Sequence, residues 1–156
     1  MDLIKINLTY ASSVKELDSI FPGTAKKVKS LTDKKMKEIT KLALQACQSK
    51  VPQYTKQLRN TQIKSEIASN FGDIKARVFV TDDVHTNTSG RRKPTASSLA
   101  QLLDEGVDNG VVLHRRKGAL SANSLFSPPS KGSLTAGWIG HANGDFRSVL
   151  PGALNG

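Results

Sequence analysis

A single cysteine stands in the 156 residues, so no internal disulfide can form, and Cys47 falls on the apolar side of a helical pattern, where a thiol serves as a small core group. Aromatic residues are scarce at 5%, which places the core on aliphatic side chains and leaves little means of stacking on exposed bases. No apolar run approaches the roughly 18 residues of a membrane span. Met1 to Tyr10 alternates apolar and polar residues instead of forming a continuous apolar leader, so the chain reads as soluble and intracellular. Catalytic signatures are missing too: there is no Gly-x-Ser-x-Gly nucleophile turn, phosphate-cradling glycine loop or dinucleotide fingerprint. His85, His114 and His141 have no metal-ligand spacing from one another or from Cys47, and read as ordinary loop or surface residues. The pairs Asp82-Asp83 and Asp104-Glu105 read as solvated ends of elements. Neither an enzyme nor a metal or other cofactor is expected.

Acidic residues are outnumbered, 13 against 23 Lys and Arg, for a net charge of +10. The excess is uneven: residues 1–60 hold 12 basic and 5 acidic side chains, 61–106 hold 6 of each, and 107–156 hold 5 and 2. Much of it lies in one basic stretch beginning at Thr24. Val28, Leu31, Ile39, Leu42 and Ala46 recur there at helical spacing, with Leu44, Cys47 and Val51 widening the stripe, while Lys26, Lys27, Lys34, Lys35, Lys37 and Lys41 lie mostly off it. A helix from Lys26 to about Lys50 follows, capped by Thr24 or restarted at Thr32-Asp33. Pro52 has no backbone donor and pushes Val51 out of helical geometry, so the helix should end just before it.

Ahead of this helix, Ile4, Ile6 and Leu8 alternate as one face of a strand, and Ser12 or Ser13 can cap a short helix running to Ile20. Behind it the period changes from about 3.6 to 2. Ile63, Ser65 and Ile67 mark one strand, Asn70-Phe71-Gly72-Asp73 a turn, and Ile74, Ala76, Val78 and Val80 a second strand whose apolar face should meet the helix. Val84 to Ser98 reads as a polar loop, Leu99 to Glu105 as a short element, and Val111-Val112-Leu113 as one more strand.

At the end of the long helix, Pro52, Thr55, Leu58 and Arg59 resemble the Pro-x-x-Thr-Gly-x-Leu-Arg-x-Ser pattern of neck and tail-completion proteins of tailed bacteriophages. Lys56 takes the place of the pattern's Gly, and Thr61 that of its Ser. That family sets the pattern between a long charged helix and a small antiparallel sheet, and Glu105-Gly106 looks like the Glu-Gly pair with which its chain returns to the sheet. The resemblance covers residues 25–106, about half of the chain. It implies an α+β fold with a long helix packed on a small, mostly antiparallel sheet, and a structural virion protein of the head-to-tail junction. Such a protein is a neck, tail-completion or tail-terminator component that forms a homo-oligomeric ring, expected to be hexameric, around the DNA channel.

Residues 1–117 are expected to form this core domain, and 118–156, rich in Ser, Gly, Pro, Ala and Asn, an irregular C-terminal arm that orders against neighbouring subunits. Two clusters in predicted loops, Arg91-Arg92-Lys93 and Arg115-Arg116-Lys117, suit carboxylates of an adjacent connector or tail protein, or DNA phosphates in the channel. Trp138 is a further candidate interface anchor. The alternative reading is a basic nucleic-acid-binding protein, in which contacts would go to the phosphate backbone and weaken steeply with salt.

Overall fold

In a computed structural model, residues 1–10, 13–52, 56–86, 92–114 and 125–155 are described; Thr55, Arg91, Arg115, Arg116 and Lys117 lie outside them. The chain is α+β. Strand β1 (Asp2–Thr9) and helix α1 (Ser13–Ile20) lead into the long helix α2 (Thr24–Lys50). Strands β2 (Ile63–Asn70) and β3 (Asp73–Val80) form a hairpin, followed by α3 (Ala96–Glu105), a small pair β4 (Leu113–His114) and β5 (Leu125–Phe126), and α4 (Trp138–Asn155).

Helix α2 is continuous through Thr32-Asp33 and ends where proline requires: Val51 is extended at φ −60°, ψ 131°, immediately before Pro52. Its start is not capped by Thr24. Gly23 occupies the cap position with φ +90°, and the Asp18 carboxylate accepts from Gly23 N and Ala25 N at 3.0 and 3.1 Å, which satisfies two of the helix's unpaired donors. The buried face comprises Met36, Ile39, Thr40, Ala43, Ala46 and Cys47. Thr40 is accommodated by donating its hydroxyl to Met36 O at 2.7 Å.

Strand order is β1-β3-β2, antiparallel throughout. Ile74, Ala76, Val78 and Val80 are buried, as the alternation in β3 requires. Asn70 pairs with Asp73 across a two-residue loop, and Gly72 at φ +83° supplies the left-handed backbone that such a loop needs. The sheet lies on α2, and a core of aliphatic side chains fills the space: Ile39, Ala43 and Cys47 from α2, Ile63, Val78 and Val80 from the sheet, and Leu99, Ala100 and Leu103 from α3. A second cluster of Met36, Ile74 and Ala76 continues toward the hairpin end.

The C-terminal segment departs from the expected arm. Trp138–Asn155 is a helix, and it packs along α2 in the opposite direction, since Lys50 pairs with Asp145 at 3.2 Å and Lys35 Nζ donates to Ala153 O at 2.9 Å. Trp138, Ala142 and Phe146 recur at i, i+4 and i+8, and all three are buried in the main core. The division at residue 117 is therefore not a boundary of the core. Glycine and proline lower the intrinsic helix preference of this stretch, but burying one apolar stripe outweighs that deficit.

Candidate interaction surfaces

Pro52 is half-buried at the end of α2, and Lys56 and Gln57 have helical backbone leading into a single π-helical turn, Leu58–Gln62. Leu58 is fully buried, and Arg59 is half-buried in that turn. The described residues include no non-glycine residue with positive φ, so Lys56 meets no conformational demand that the pattern's glycine would have to satisfy. Ile63 N donates to Leu58 O, which hands the turn directly to β2.

Gly106 closes α3 at φ +85°, donating its N–H to Leu102 O, and a Cβ at this position would lie 2.8 Å from Lys131 N and Ser130 C. Both facts demand glycine. The chain beyond it does not rejoin the three-stranded sheet: Val107 bridges to Ser130, in the segment leading to α4. Glu105 is exposed at the end of α3. Trp138 is 1% exposed and donates its indole N–H to Ala100 O at 3.0 Å, so it ties α4 to α3 inside the molecule and is not a surface anchor. Of the basic clusters, Arg92 and Lys93 are exposed beside Pro94; the others fall outside the described residues.

His85, read from the sequence as a loop or surface residue, is completely buried. Gln62 Nε2 donates to Val84 O at 3.3 Å, which leaves Oε1 as an acceptor 2.6 Å from His85 Nδ1; the ring therefore carries its proton on Nδ1. Burial, helped by the Lys93 charge, pulls the His85 pKa down to about 4, keeping the imidazole neutral. Gln57 Oε1 accepts from Thr86 N at 3.0 Å, so the knot fastens the π-helical turn to the segment after β3. Its partners are 23 and 29 residues apart in sequence, and no local spacing signals the arrangement. Cys47 is buried as expected, and burial pushes its thiol up to about 12, far from the thiolate range of a reactive cysteine.

Three surfaces remain. On the outer face of the sheet, Arg77 pairs with both Asp2 (3.1 Å) and Glu66, so charge there is internally compensated. The second surface is the β2 edge. Thr81 N donates to Gln62 O at 2.9 Å, which fixes the phase of the ladder: even-numbered residues of β2 turn their peptide groups toward β3, and Ser65, Ile67 and Ser69 turn theirs outward. No strand among the described residues meets them. The β1 edge differs, because Asn143 Nδ2 donates to Leu3 O at 3.2 Å and the register shifts between Asp2 and Ile4. The third surface is the solvent face of α2, where Lys26, Lys27, Lys34, Lys37 and Lys41 are all exposed.

Among the described residues, no group of three or more His, Cys, Asp or Glu is placed to hold a metal ion, and no helix is long and apolar enough to cross a membrane. Comparison of the chain with protein-family models, with curated proteins and with solved structures finds no match.

Proposed function

We propose that this chain is a structural protein of the head-to-tail junction of a tailed bacteriophage, a neck, tail-completion or tail-terminator component that assembles in the host cytoplasm and resides in the virion. The observation that carries this reading is the order of elements around the quoted motif. The long charged helix α2 stops at Pro52, and Leu58 and Arg59 turn the chain straight into an antiparallel hairpin, the arrangement that the resemblance implies. Leu58 is a core residue and Arg59 flanks it, so the matched positions have structural work at this junction.

Such a component acts without covalent chemistry, by closing head-to-tail contacts into a ring around the DNA passage and gripping an adjacent connector or tail protein. The open β2 edge is a suitable subunit contact, since its outward peptide groups can accept a strand from the next copy. Deletion of the gene, with negative-stain microscopy of the lysate, tests the reading. Filled heads beside unattached tails, restored to joined particles when the protein is supplied, are expected; intact infectious virions would refute it. The ring contact has its own test in Ser65→Pro. Its N–H points away from β3, so the substitution spares the internal ladder while removing an edge donor. Loss of oligomer by sedimentation with an unchanged circular dichroism spectrum is expected.

A further inference from the structure

The solvent face of α2 carries a row of exposed lysines. At about 100° per residue, Lys27, Lys34 and Lys41 fall within roughly 20° of one line along the helix, with Lys26 and Lys37 beside it. From Lys26 to Lys41 the rise is about 22 Å. None of the five forms an ion pair among the described residues. The nearby acids are already engaged: Glu38 pairs with Lys35 at 3.1 Å, and Asp33 is held by Lys29 at 2.8 Å and by the Ser69 hydroxyl at 2.6 Å. Lys26, Lys29, Ser30, Asp33, Lys34 and Lys37 line a shallow groove of about 420 Å³ in this face.

The chemistry of the face selects its partner. Protein interfaces concentrate aromatic side chains, Met and Arg at their centres and are depleted in Lys. Helix α2 contains no aromatic residue and no arginine, and its one exposed large apolar side chain, Leu31, stands at the rim of the lysine line. Without stacking groups or guanidinium forks, the face can read neither bases nor paired carboxylates. What it offers is a row of mobile point charges, which suits closely spaced phosphates.

We infer that the lysine face of α2 is a sequence-independent contact for the phosphate backbone of duplex DNA. Under the neck reading, on which this assignment builds, α2 turns that face toward the channel. The inference is tested on the whole chain with a labelled duplex of roughly 20 base pairs, by anisotropy across a salt series. Five neutralised phosphates give a slope of log K against log salt near −4.5, so affinity falls about 500-fold between about 50 and about 200 mM salt. The triple variant K27Q/K34Q/K41Q should flatten the slope to about −2. Removing the same charge from the outer sheet face with K5Q/K64Q/K75Q should leave the slope unchanged. If the helix triple fails to fold, Lys34→Gln alone decides, with an expected change of about one unit.

Equal loss in the two triple variants would mean that net charge alone attracts DNA, and would overturn the assignment. So would a parent slope no steeper than about −2, or displacement of the duplex by polyglutamate at matched charge concentration, which would transfer the face to an acidic protein. These outcomes are separable from the gene deletion. DNA binding with normal virions removes the neck reading and leaves the surface, and a junction defect without DNA binding does the reverse.

Discussion

The two ends of α2 have different surroundings. From Lys35 to Lys50 the helix lies against the sheet on one side and α4 on the other, and six of its side chains are buried. From Thr24 to Lys34 its neighbours are α1 and the tip of the β2–β3 hairpin, where Lys29 and Asp33 hold Ser69, and no residue is fully buried. Both halves carry lysine, so composition does not separate them. The difference lies in length: α2 extends past the end of α4, and Leu31, on the stripe expected to be buried, is 68% exposed one turn beyond the Lys35–Ala153 contact. One end of the helix is packed on two sides, and the other projects beyond α4 with most of its surface uncovered.

That contrast breaks most severely at Trp138. Trp138→Ala removes the largest fully buried side chain and its bond to Ala100 O, and should cost about 3–5 kcal/mol in urea unfolding. A loss under about 1 kcal/mol, the size of a surface change, would mean that α4 is not integral to the core.

Acidification probes the same packed end. The folded-state pKa of His85 is about 4, below the ordinary value of 6.5, so the unfolded chain binds the extra proton first as pH falls. The contribution is whole above about pH 6.5, and on the order of 3 kcal/mol is lost on descending to about pH 4. His85→Gln should remove this part of the pH dependence of stability; an unchanged profile would show that another group is responsible.

Gly106→Ala forces a side chain onto positive φ and against the backbone of Ser130 and Lys131, and should destabilise by about 2–3 kcal/mol in the same unfolding experiment. At the other end of α2, Lys34→Ala should change stability by no more than about 0.5 kcal/mol, because the side chain is exposed and makes no ion pair among the described residues. A larger effect would blur the distinction between the packed end and the uncovered one.

How much of this was legible in the sequence follows from the range of the interactions. Local chemistry sets the stop of α2 at Pro52, the two-residue turn at Phe71-Gly72 and the alternation of β3, and all three are visible in windows of a few residues. The burial of Cys47 follows from its place on an apolar stripe. The motif at Pro52 to Arg59 could be read as a string, but its conversion into a π-helical turn could not, because the turn is held by Gln57 and Gln62 reaching residues beyond β3.

The sequence by itself thus determined an α+β chain built on one long basic helix and an antiparallel hairpin, since periodicity, proline and turn residues act on the backbone where they stand. Tertiary structure alone decided that residues 138–155 are a core helix, that His85 is interior, and which lysines of α2 remain uncovered. Each of these depends on what packs beside the residue. A glycine- and proline-containing stretch becomes helical only when α2 and α3 bury Trp138, Ala142 and Phe146, and a histidine tolerates burial only when a distant glutamine accepts a hydrogen bond from its ring N–H.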